Sequence, residues 1–262
     1  MARFCPLYSG SSGNSTFVGD DDGGILIDAG VSCKQIVQGL DKIGQSPESI
    51  KAIFITHEHS DHIKGLNVFL KRYPVPIISS QGTINALINK ESIPSGTNCQ
   101  VIQSGGVEVY GIQVNAFPTS HDTSESVGFK MSWGERTMAI VTDLGFVSDE
   151  VRKAVMGCDL VMVESNYDKK MLEKSHYPYQ TKRRIQGDKG HLSNDDCGNF
   201  IIDLVKNGTT RFYLAHLSES NNMPSIARDS AINLLTQNHM IADEDYILHI
   251  ASRYEPSKGM SF

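Results

Sequence analysis

Three histidines and one aspartate fall within the seven-residue segment THEHSDH, from Thr56 to His62. The segment directly follows the apolar run AIFI, which is typical of a buried strand. A buried carboxylate is costly unless it is paired or bound to a metal ion, and buried imidazoles also need partners. Imidazole and carboxylate groups are ligands of Zn²⁺, and also of Mn²⁺ or Fe²⁺. The segment therefore predicts a metal site beyond a strand end.

The spacing inside the segment favours two neighbouring metal positions. Side chains two residues apart point the same way on an extended chain, so His57, His59 and Asp61 share a direction until the chain turns. His62 falls where a helix would begin. A tight loop can then direct two nitrogens at one metal, and Asp61 with His62 at a neighbour. A polar surface turn is the competing interpretation, and the specific HxHxDH spacing argues against it.

Four more His or Asp residues follow apolar stretches elsewhere in the chain. They are Asp28 in IDAG, His121 in PTSH, Asp143 in VTDLG and His216 in YLAH. A single such residue usually caps a helix or makes a surface hydrogen bond. Because ligands of α/β sheets gather beyond the strand ends, their repetition predicts that these side chains converge on one edge.

Alternating strands and helices must hold these side chains in place. Stretches rich in Val, Ile, Phe and Tyr, cut by Gly, Asp or Asn, predict eleven strands: STFVG, GILIDAG, KAIFITH, VPIISS, GGVEVY, IQVNAFPTS, SVGFKMS, RTMAIVTD, DLVMVES, TRFYLAH and DYILHI. Apolar residues at three- and four-residue spacing predict six helices: CKQIVQGLDKIG, KGLNVFLKRY, QGTINALINK, SDEVRKAVMG, NDDCGNFIIDLVKNG and PSIARDSAINLLTQN. The alternation predicts an α/β protein, with helices covering sheets in a single domain over 1–262.

Composition narrows the class of protein. No apolar run approaches the roughly 20 residues needed to span a bilayer, and the N-terminus lacks the apolar core of a signal peptide. The five cysteines are odd in number and form no CxxC pair, which predicts free thiols in a reducing compartment. We therefore expect a cytoplasmic protein without a membrane partner. The net charge of −6 argues mildly against binding long nucleic acid through the whole surface.

Positive charge is nevertheless concentrated in one segment. Between Lys169 and Lys189 there are seven Lys or Arg residues against Glu173 and Asp188. A solvated surface loop is one interpretation of this run. The other is a surface that attracts phosphate groups.

The spaced motifs THEHSDH, SH, TDLG and AHLS together resemble the metallo-β-lactamase-fold hydrolase superfamily. The resemblance implies a four-layer αββα sandwich with two divalent ions at one edge, between the sheets. It implies a first metal held by three histidines, a second held by one aspartate and two histidines, a bridging aspartate, and an aspartate that orients the ligand loop. The resemblance places the first metal at His57, His59 and His121, and the second at Asp61, His62 and His216. It makes Asp143 the bridging aspartate and Asp28 the aspartate that orients the ligand loop.

Hydrolysis is the reaction that this ligand set favours. Two metals about 4 Å apart bridge a water and lower its pKa towards neutrality. The hydroxide attacks an ester-like centre, and Asp61 can orient the water or take its proton.

Some branches of the superfamily are excluded by the sequence. Asp143 stands where lactamases of this fold carry Cys, and HEHSDH keeps a histidine that the di-iron reductases replace with Glu. Only 72 residues separate Asp143 from His216, which leaves no room for the β-CASP nuclease insertion.

Three further segments narrow the resemblance to the YycJ/WalJ-type subgroup: SGSSGN, ESNYD with GHLSN, and AHLSESNN. A Gly/Ser loop can cradle an anion or simply form a flexible turn, and Ser193 or Asn194 can begin a helix just after His191. The subgroup implies 5′→3′ exonuclease activity on DNA. Glu164 and His191 also match a catalytic pair of tRNA 3′-processing endonucleases, where the histidine helps to protonate the leaving oxygen. The predicted substrate contacts are Ser11, Ser12, Asn14, Lys182, Arg183, Arg184, Ser193, Ser218 and Asn221.

Two other functions remain open at this point. A small-molecule hydrolase, such as a thioesterase or a cyclic phosphodiester hydrolase, agrees with the negative net charge and with the lack of a large nucleic-acid domain. A regulatory domain without activity is the third, and seven intact ligand positions argue against it. The sequence leaves open the native metal, the choice among DNA, RNA and a small phosphodiester, and the oligomeric state.

Overall fold

The computed structural model describes residues 3–261 and contains two seven-stranded sheets that pack face to face. The strands in chain order are β1 (Arg3–Tyr8), β2 (Ser15–Gly19), β3 (Gly24–Ile27), β4 (Ile50–Phe54), β5 (Ile77–Ser79), β6 (Cys99–Val101), β7 (Val107–Val109), β8 (Ile112–Pro118), β9 (Val127–Trp133), β10 (Arg136–Val141), β11 (Leu160–Glu164), β12 (Arg211–Ala215), β13 (Ile247–Ile250) and β14 (Met260–Ser261). The first sheet has the order β14-β1-β2-β3-β4-β5-β6, and the second has the order β13-β12-β11-β10-β9-β8-β7.

Each sheet has an antiparallel half and a parallel half. In the first sheet, β14 to β3 pair antiparallel, and β3 to β6 pair parallel. In the second sheet, β7 to β10 pair antiparallel, and β10 to β13 pair parallel. The carboxyl ends of neighbouring parallel strands meet at one edge of a sheet, which is where the chemistry-bearing loops begin.

Nine helices connect the strands within the described residues. They are α1 (Cys33–Lys42), α2 (Ser60–Ile63), α3 (Leu66–Arg72), α4 (Gln81–Asn89), α5 (Asp149–Val155), α6 (Lys169–Lys174), α7 (Tyr179–Ile185), α8 (Asn194–Lys206) and α9 (Pro224–Gln237). Several begin at a side-chain cap. Ser32 and Gln35 form a reciprocal capping box at α1, and the Ser193 hydroxyl accepts from the backbone N–H of Asp196 at α8.

Three apolar layers hold the sheets and helices together. Between the sheets, the rings of Phe54 and Phe129 meet edge to face with their centroids 5.5 Å apart. On the outer face of the first sheet, Ile36 and Phe69 pack beneath α1 and α3. On the outer face of the second sheet, Phe200 belongs to the layer that joins α5, α8 and α9 to the strands. This order of layers confirms the predicted four-layer αββα sandwich.

All eleven predicted strands and all six predicted helices overlap an element of the structure. The strands that the sequence did not predict are β1, β6 and β14. β1 contains Pro6, and proline inside a run argues against a strand because it cannot donate to the ladder. The register of β1 against β2 shifts between Pro6 and Tyr8. The basic segment 169–189 is not an irregular loop, since it folds into α6 and α7. The prediction of a single domain stays a prediction.

Two further predictions concern membrane-spanning helices and cysteines. Among residues 3–261, no helix is both long enough and apolar enough to cross a bilayer. All five cysteines are free, as expected, and all but Cys99 are buried.

Candidate metal centre

Loops from both sheets bring the candidate residues to one place between the sheets. In the first sheet, Asp28 follows β3 and THEHSDH follows β4; in the second sheet, Asp143 follows β10 and His216 follows β12. Three of these residues have a positive φ, namely Asp28 (64°), Asp143 (59°) and His216 (54°). A residue other than glycine in this region costs on the order of 1 to 3 kcal/mol and persists only where surrounding contacts fix it. The surroundings therefore impose the turn after each strand.

The first group of metal donors contains three imidazoles, those of His57, His59 and His121. Their ring centroids lie 4.8, 5.1 and 5.0 Å apart, and His121 Nε2 is 3.3 Å from His59 Nδ1. Burial lowers the pKa of His57 well below its usual value, and the neighbouring imidazoles lower it further. Burial also lowers the pKa of His121. Neutral imidazoles present lone pairs, as metal binding requires.

The second group contains Asp61, His62 and His216. Asp61 Oδ2 lies 3.3 Å from His216 Nε2 and 3.6 Å from His62 Nε2. Asp143 lies between the two groups, with Oδ2 3.3 Å from His62 Nε2 and Oδ1 3.7 Å from His121 Nε2. One carboxylate can thus reach both groups.

Internal hydrogen bonds fix the orientation of four imidazoles. Nδ1 of His62 lies 2.8 Å from Asp28 Oδ2, Nδ1 of His121 lies 3.0 Å from the Gly190 carbonyl, and Nδ1 of His216 lies 2.7 Å from Glu164 Oε1. For His57, Nδ1 is 3.1 Å from the hydroxyl of the preceding threonine. We assign the proton to Nδ1 in each ring, which leaves Nε2 to face the shared space. His59 is reversed, since its Nδ1 faces the other rings.

Two buried polar atoms without hydrogen-bond partners in the described part of the chain indicate whether these residues fit a metal ion. Within residues 3–261, His57 Nε2 and Asp143 Oδ2 have no hydrogen-bond partner, although both are buried. An unsatisfied buried polar atom costs about 1 to 3 kcal/mol. Both residues belong to one compact group with His62, whose donor atoms lie within 4.8 Å of one another. A divalent cation would satisfy both atoms, so the site fits a divalent metal.

The charge balance of the centre also favours a cation. Burial opposes the charged form of His216, yet Asp143, Asp61 and Glu164 raise its pKa to about 10. Burial likewise opposes the charged form of His62, and nearby carboxylates raise its pKa well above the usual value. The centre therefore attracts positive charge, and metal ions must displace protons from these rings when they bind.

Glu164 is fully buried at the end of β11 and accepts from four donors. Its Oε1 lies 2.9 Å from His191 Nδ1 and 2.7 Å from His216 Nδ1, and its Oε2 accepts from the backbone N–H groups of Leu192 and Leu144. Burial opposes its charged form, but His191 and His216 hold its pKa well below the usual value. Glu164 is therefore an ionised carboxylate that orients both rings.

Asp143, Glu164, His191 and His216 also form a compact group of potential ligands. The hydrogen bonds argue against a third metal position there. Oε1 of Glu164 already faces both Nδ1 atoms, and a metal between them would require both rings to give up the proton that Glu164 binds. We interpret this group as a hydrogen-bonded network beside the metal donors.

The SGSSGN loop supports the backbone of the candidate ligand Asp61. Asn14 is buried: its backbone N–H donates to the Asp61 carbonyl over 2.8 Å, and its Oδ1 accepts from the Gly10 N–H. A Cβ on Gly30 would lie 1.7 Å from the Asp61 carbonyl oxygen, so this position requires glycine. Asn14 therefore supports Asp61, and its predicted contact with substrate stays a prediction. Ser11 and Ser12 are exposed at the tip of the loop.

Three other predicted substrate contacts also face inwards. The Ser193 hydroxyl caps α8, and the Ser218 hydroxyl accepts from the Asn221 backbone N–H over 3.2 Å. Ser193 and Asn221 are at most 1 % exposed. These contacts place the three side chains inside the loops that they support, and their predicted contact with substrate stays a prediction.

The three basic residues predicted to contact substrate lie in α7 and have different surroundings. Lys182 Nζ donates to the carbonyls of Glu173 and Ser175 over 2.7 Å each, so it closes the end of α6. Arg183 is exposed. Arg184 Nε donates to Asp122 Oδ2 over 2.6 Å, and Asp122 directly follows His121.

Sequence reasoning missed several polar residues that lie inside the quoted motifs. The Thr56 hydroxyl lies within 3.1 Å of Nδ1 of both His57 and His62 and bonds to Asp28. The Asn166 amide donates to the His216 carbonyl over 2.8 Å. The only available signal was their position next to a ligand or a motif, and Asp122 in SHD had the same signal.

Comparisons with known proteins agree with this geometry. The family model of the metallo-beta-lactamase superfamily matches residues 8–216. The chain is 35 % identical to Exodeoxyribonuclease YycJ of Bacillus anthracis over 98 % of this chain and 97 % of that protein. It is 33 % identical to Exodeoxyribonuclease WalJ of Streptococcus pneumoniae serotype 2 over 95 % and 94 % of the two chains. The Zn²⁺-bound PqqB structure from Methylobacterium extorquens superposes with a TM-score of 0.74 at 15 % identity, covering 98 % and 100 % of the two chains, which shows the shared fold.

Proposed function

We propose that this chain, which belongs to the metallo-β-lactamase superfamily and to its YycJ/WalJ subgroup, is a dinuclear metal-dependent 5′→3′ DNA exonuclease of the cytoplasm. The observation that carries the proposal is the pair of donor groups with Asp143 between them and two buried donor atoms unsatisfied. The relatives that match nearly the full length are exodeoxyribonucleases by name, which supports DNA as the substrate.

We assign the ligands of two divalent ions to the residues of the two groups. The first ion would be held by His57, His59 and His121, the second by Asp61, His62 and His216, and both by Asp143. Nitrogen and carboxylate donors suit Zn²⁺, Mn²⁺ or Fe²⁺. The position of Asp143, within 3.7 Å of nitrogens from both groups, supports its bridging role.

When bound, the ions supply an activated water and neutralise charge on a phosphate at neutral pH. The protein supplies position and protons. Asp61 is partly exposed and faces His62 and His216, so its carboxylate can orient the attacking water. Asp28 and Glu164 fix the rings of His62 and His216 from behind, which limits the rearrangement that the site would need during the reaction.

His191 is the candidate for protonating the leaving oxygen. Its Nδ1 is held by Glu164, and its ring is partly exposed, with 17 % of the side chain accessible. The bond to Glu164 leaves Nε2 as the nitrogen that can pass a proton to substrate. A leaving alkoxide needs such help, and general acid catalysis typically contributes about 10² to 10⁴ in rate.

The second candidate is a small-molecule hydrolase of the same fold, acting on a thioester or a cyclic phosphodiester. The net charge of −6 favours it, and so does Lys182, whose ammonium group is already bound to backbone carbonyls. Both candidate functions use the same metal-binding residues and differ in the substrate that binds beside those residues.

Digestion of 5′-labelled and 3′-labelled DNA tests the proposal. Single- and double-stranded DNA and a matched RNA would be incubated with protein loaded with Zn²⁺, Mn²⁺ or Mg²⁺, and Asp143→Ala would serve as the inactive control. We expect the 5′ label to be released first as a mononucleotide. Turnover of a cyclic phosphodiester or thioester by protein that leaves DNA intact would contradict the exonuclease and support the second candidate.

A further inference from the structure

Asp122 joins the metal centre to the basic segment. It directly follows His121, and its Oδ1 lies 3.5 Å from His121 Nε2 and 3.9 Å from His59 Nε2. Its other oxygen, Oδ2, accepts from Arg184 Nε over 2.6 Å. The guanidinium is therefore held one carboxylate away from the imidazoles of the first donor group.

The backbone around Arg184 is also fixed to the centre. The His121 ring bonds to the Gly190 carbonyl over 3.0 Å, and the Ser120 hydroxyl donates to the Asp188 carbonyl over 2.6 Å. The His191 N–H donates to the Ile185 carbonyl over 2.9 Å, just after Arg184. The end of α7 thus cannot move away from the site without breaking these bonds, so the position of Arg184 is determined from two sides.

The Arg184 guanidinium keeps donors for a ligand. A guanidinium carries five N–H donors in a planar fork, and Asp122 takes only the one on Nε. Among the described residues 3–261, none hydrogen-bonds to the η nitrogens of Arg184, and 56 % of the side chain is exposed. The fork matches the spacing of two phosphate oxygens.

On the basis of the proposed function, we infer that Arg184 binds a phosphate of the DNA strand next to the cleaved bond, and that Asp122 is the residue that positions it. A carboxylate beside an anionic substrate repels that substrate by its charge. Asp122 is therefore expected to aid binding only through Arg184. Removal of Asp122 can therefore have one of two opposite effects on DNA binding. Loss of a purely repulsive charge would tighten binding, whereas loss of a contact that positions Arg184 would weaken it.

A double-mutant cycle separates the two effects. The dissociation constant for a single-stranded phosphorothioate oligonucleotide, which resists hydrolysis, would be measured by fluorescence anisotropy with metal-loaded protein. The variants are Asp122→Ala, Arg184→Ala and the double variant. We expect Arg184→Ala to weaken binding about 10-fold or more, since hydrogen bonds to charged groups are worth about 1.5 to 3 kcal/mol. Asp122→Ala should weaken binding about 3- to 10-fold alone, and should have no effect or tighten binding in the Arg184→Ala background.

Arg136 supplies the matched control. It is also an exposed arginine paired with an aspartate, at 2.9 Å from Asp159 and with 51 % of its side chain exposed, but it lies at the start of β10, away from the metal donors. Arg136→Ala removes the same charge and should change the dissociation constant less than 2-fold. Equal weakening by Arg136→Ala and Arg184→Ala would overturn the inference, because net charge alone would then explain binding.

Kinetics on DNA and metal content complete the test. Asp122→Ala should raise KM more than it lowers kcat and should keep the metal content of the unmodified protein. Tighter binding by Asp122→Ala alone, or a loss of metal without any coupling to Arg184, would overturn the inference. If the unmodified protein neither binds nor cleaves DNA, the proposed function fails. If it cleaves DNA while the cycle shows no coupling, only the assignment of Asp122 and Arg184 fails.

Discussion

The metal centre and the basic helix α7 lie side by side and differ in how far their side chains are buried and fixed. In the centre, His62, His121 and His216 each bond through Nδ1 to a partner within 3.0 Å, and each of these rings is at most 6 % exposed. In α7, Arg183 is exposed and Arg184 is joined to the centre by a single side-chain bond. Rings that are fixed by several contacts suit chemistry, which tolerates little misplacement, whereas exposed cationic side chains on an anchored helix suit the phosphates of a strand that must move past them.

The largest expected effect on hydrolysis comes from removing a ligand of the metal centre. His57→Ala and Asp143→Ala should each abolish hydrolysis, because each removes a donor that no neighbour can replace. The ligands lie on loops beyond strand ends, so both variants should remain folded by circular dichroism. Measurement of the rate and the metal content on the same preparation checks this. Near-native activity in either variant would show that the ligand assignment at that position is wrong.

His191→Ala should slow DNA cleavage by about 10² to 10⁴ and retain the metals, because it removes the proposed proton donor but no ligand. A substrate with an activated leaving group, such as bis-p-nitrophenyl phosphate, should lose much less rate. A purely structural histidine would instead lower the melting temperature and slow both substrates alike. Loss of metal would assign His191 to the metal centre instead.

Asp28→Ala should weaken metal binding about 10- to 100-fold, which is typical when the partner of a ligating histidine is removed. Asp28 bonds to His62 Nδ1 over 2.8 Å and to the Thr56 N–H, so its loss frees the ring and the ligand loop together. Competition with a chelator measures the affinity. An unchanged affinity would mean that the loop after β4 holds its shape without Asp28.

The smallest effect should come from the exposed side chains of α7. Removing both Arg183 and Arg184 should raise KM for DNA and reduce the salt dependence of binding by roughly one to two phosphate contacts. Binding measured at several salt concentrations gives this slope. Equal losses on DNA and on bis-p-nitrophenyl phosphate would instead show that these residues shape the reaction site.

The same contrast separates what the sequence could predict from what it could not. Strand ends and the HxHxDH spacing are local signals, so the positions that converge on the centre, including Asp28 and His216, are predictable from the sequence alone. Whether a polar side chain faces a ligand or the interior depends on distant residues. Asn14 bonds to the backbone of Asp61, 47 residues away, and Arg184 bonds to Asp122, 62 residues away. No pattern in the local sequence indicates either pairing.

The stoichiometry of bound metal tests the central claim most directly. Protein purified without chelator and reloaded with Zn²⁺ or Mn²⁺ would be measured by elemental analysis against protein concentration, with native mass spectrometry to count ions on each molecule. The two donor groups joined by Asp143 predict two ions for each chain, and one or none in Asp143→Ala. A fully active protein that carries a single ion, or no transition metal after reloading, would contradict the account.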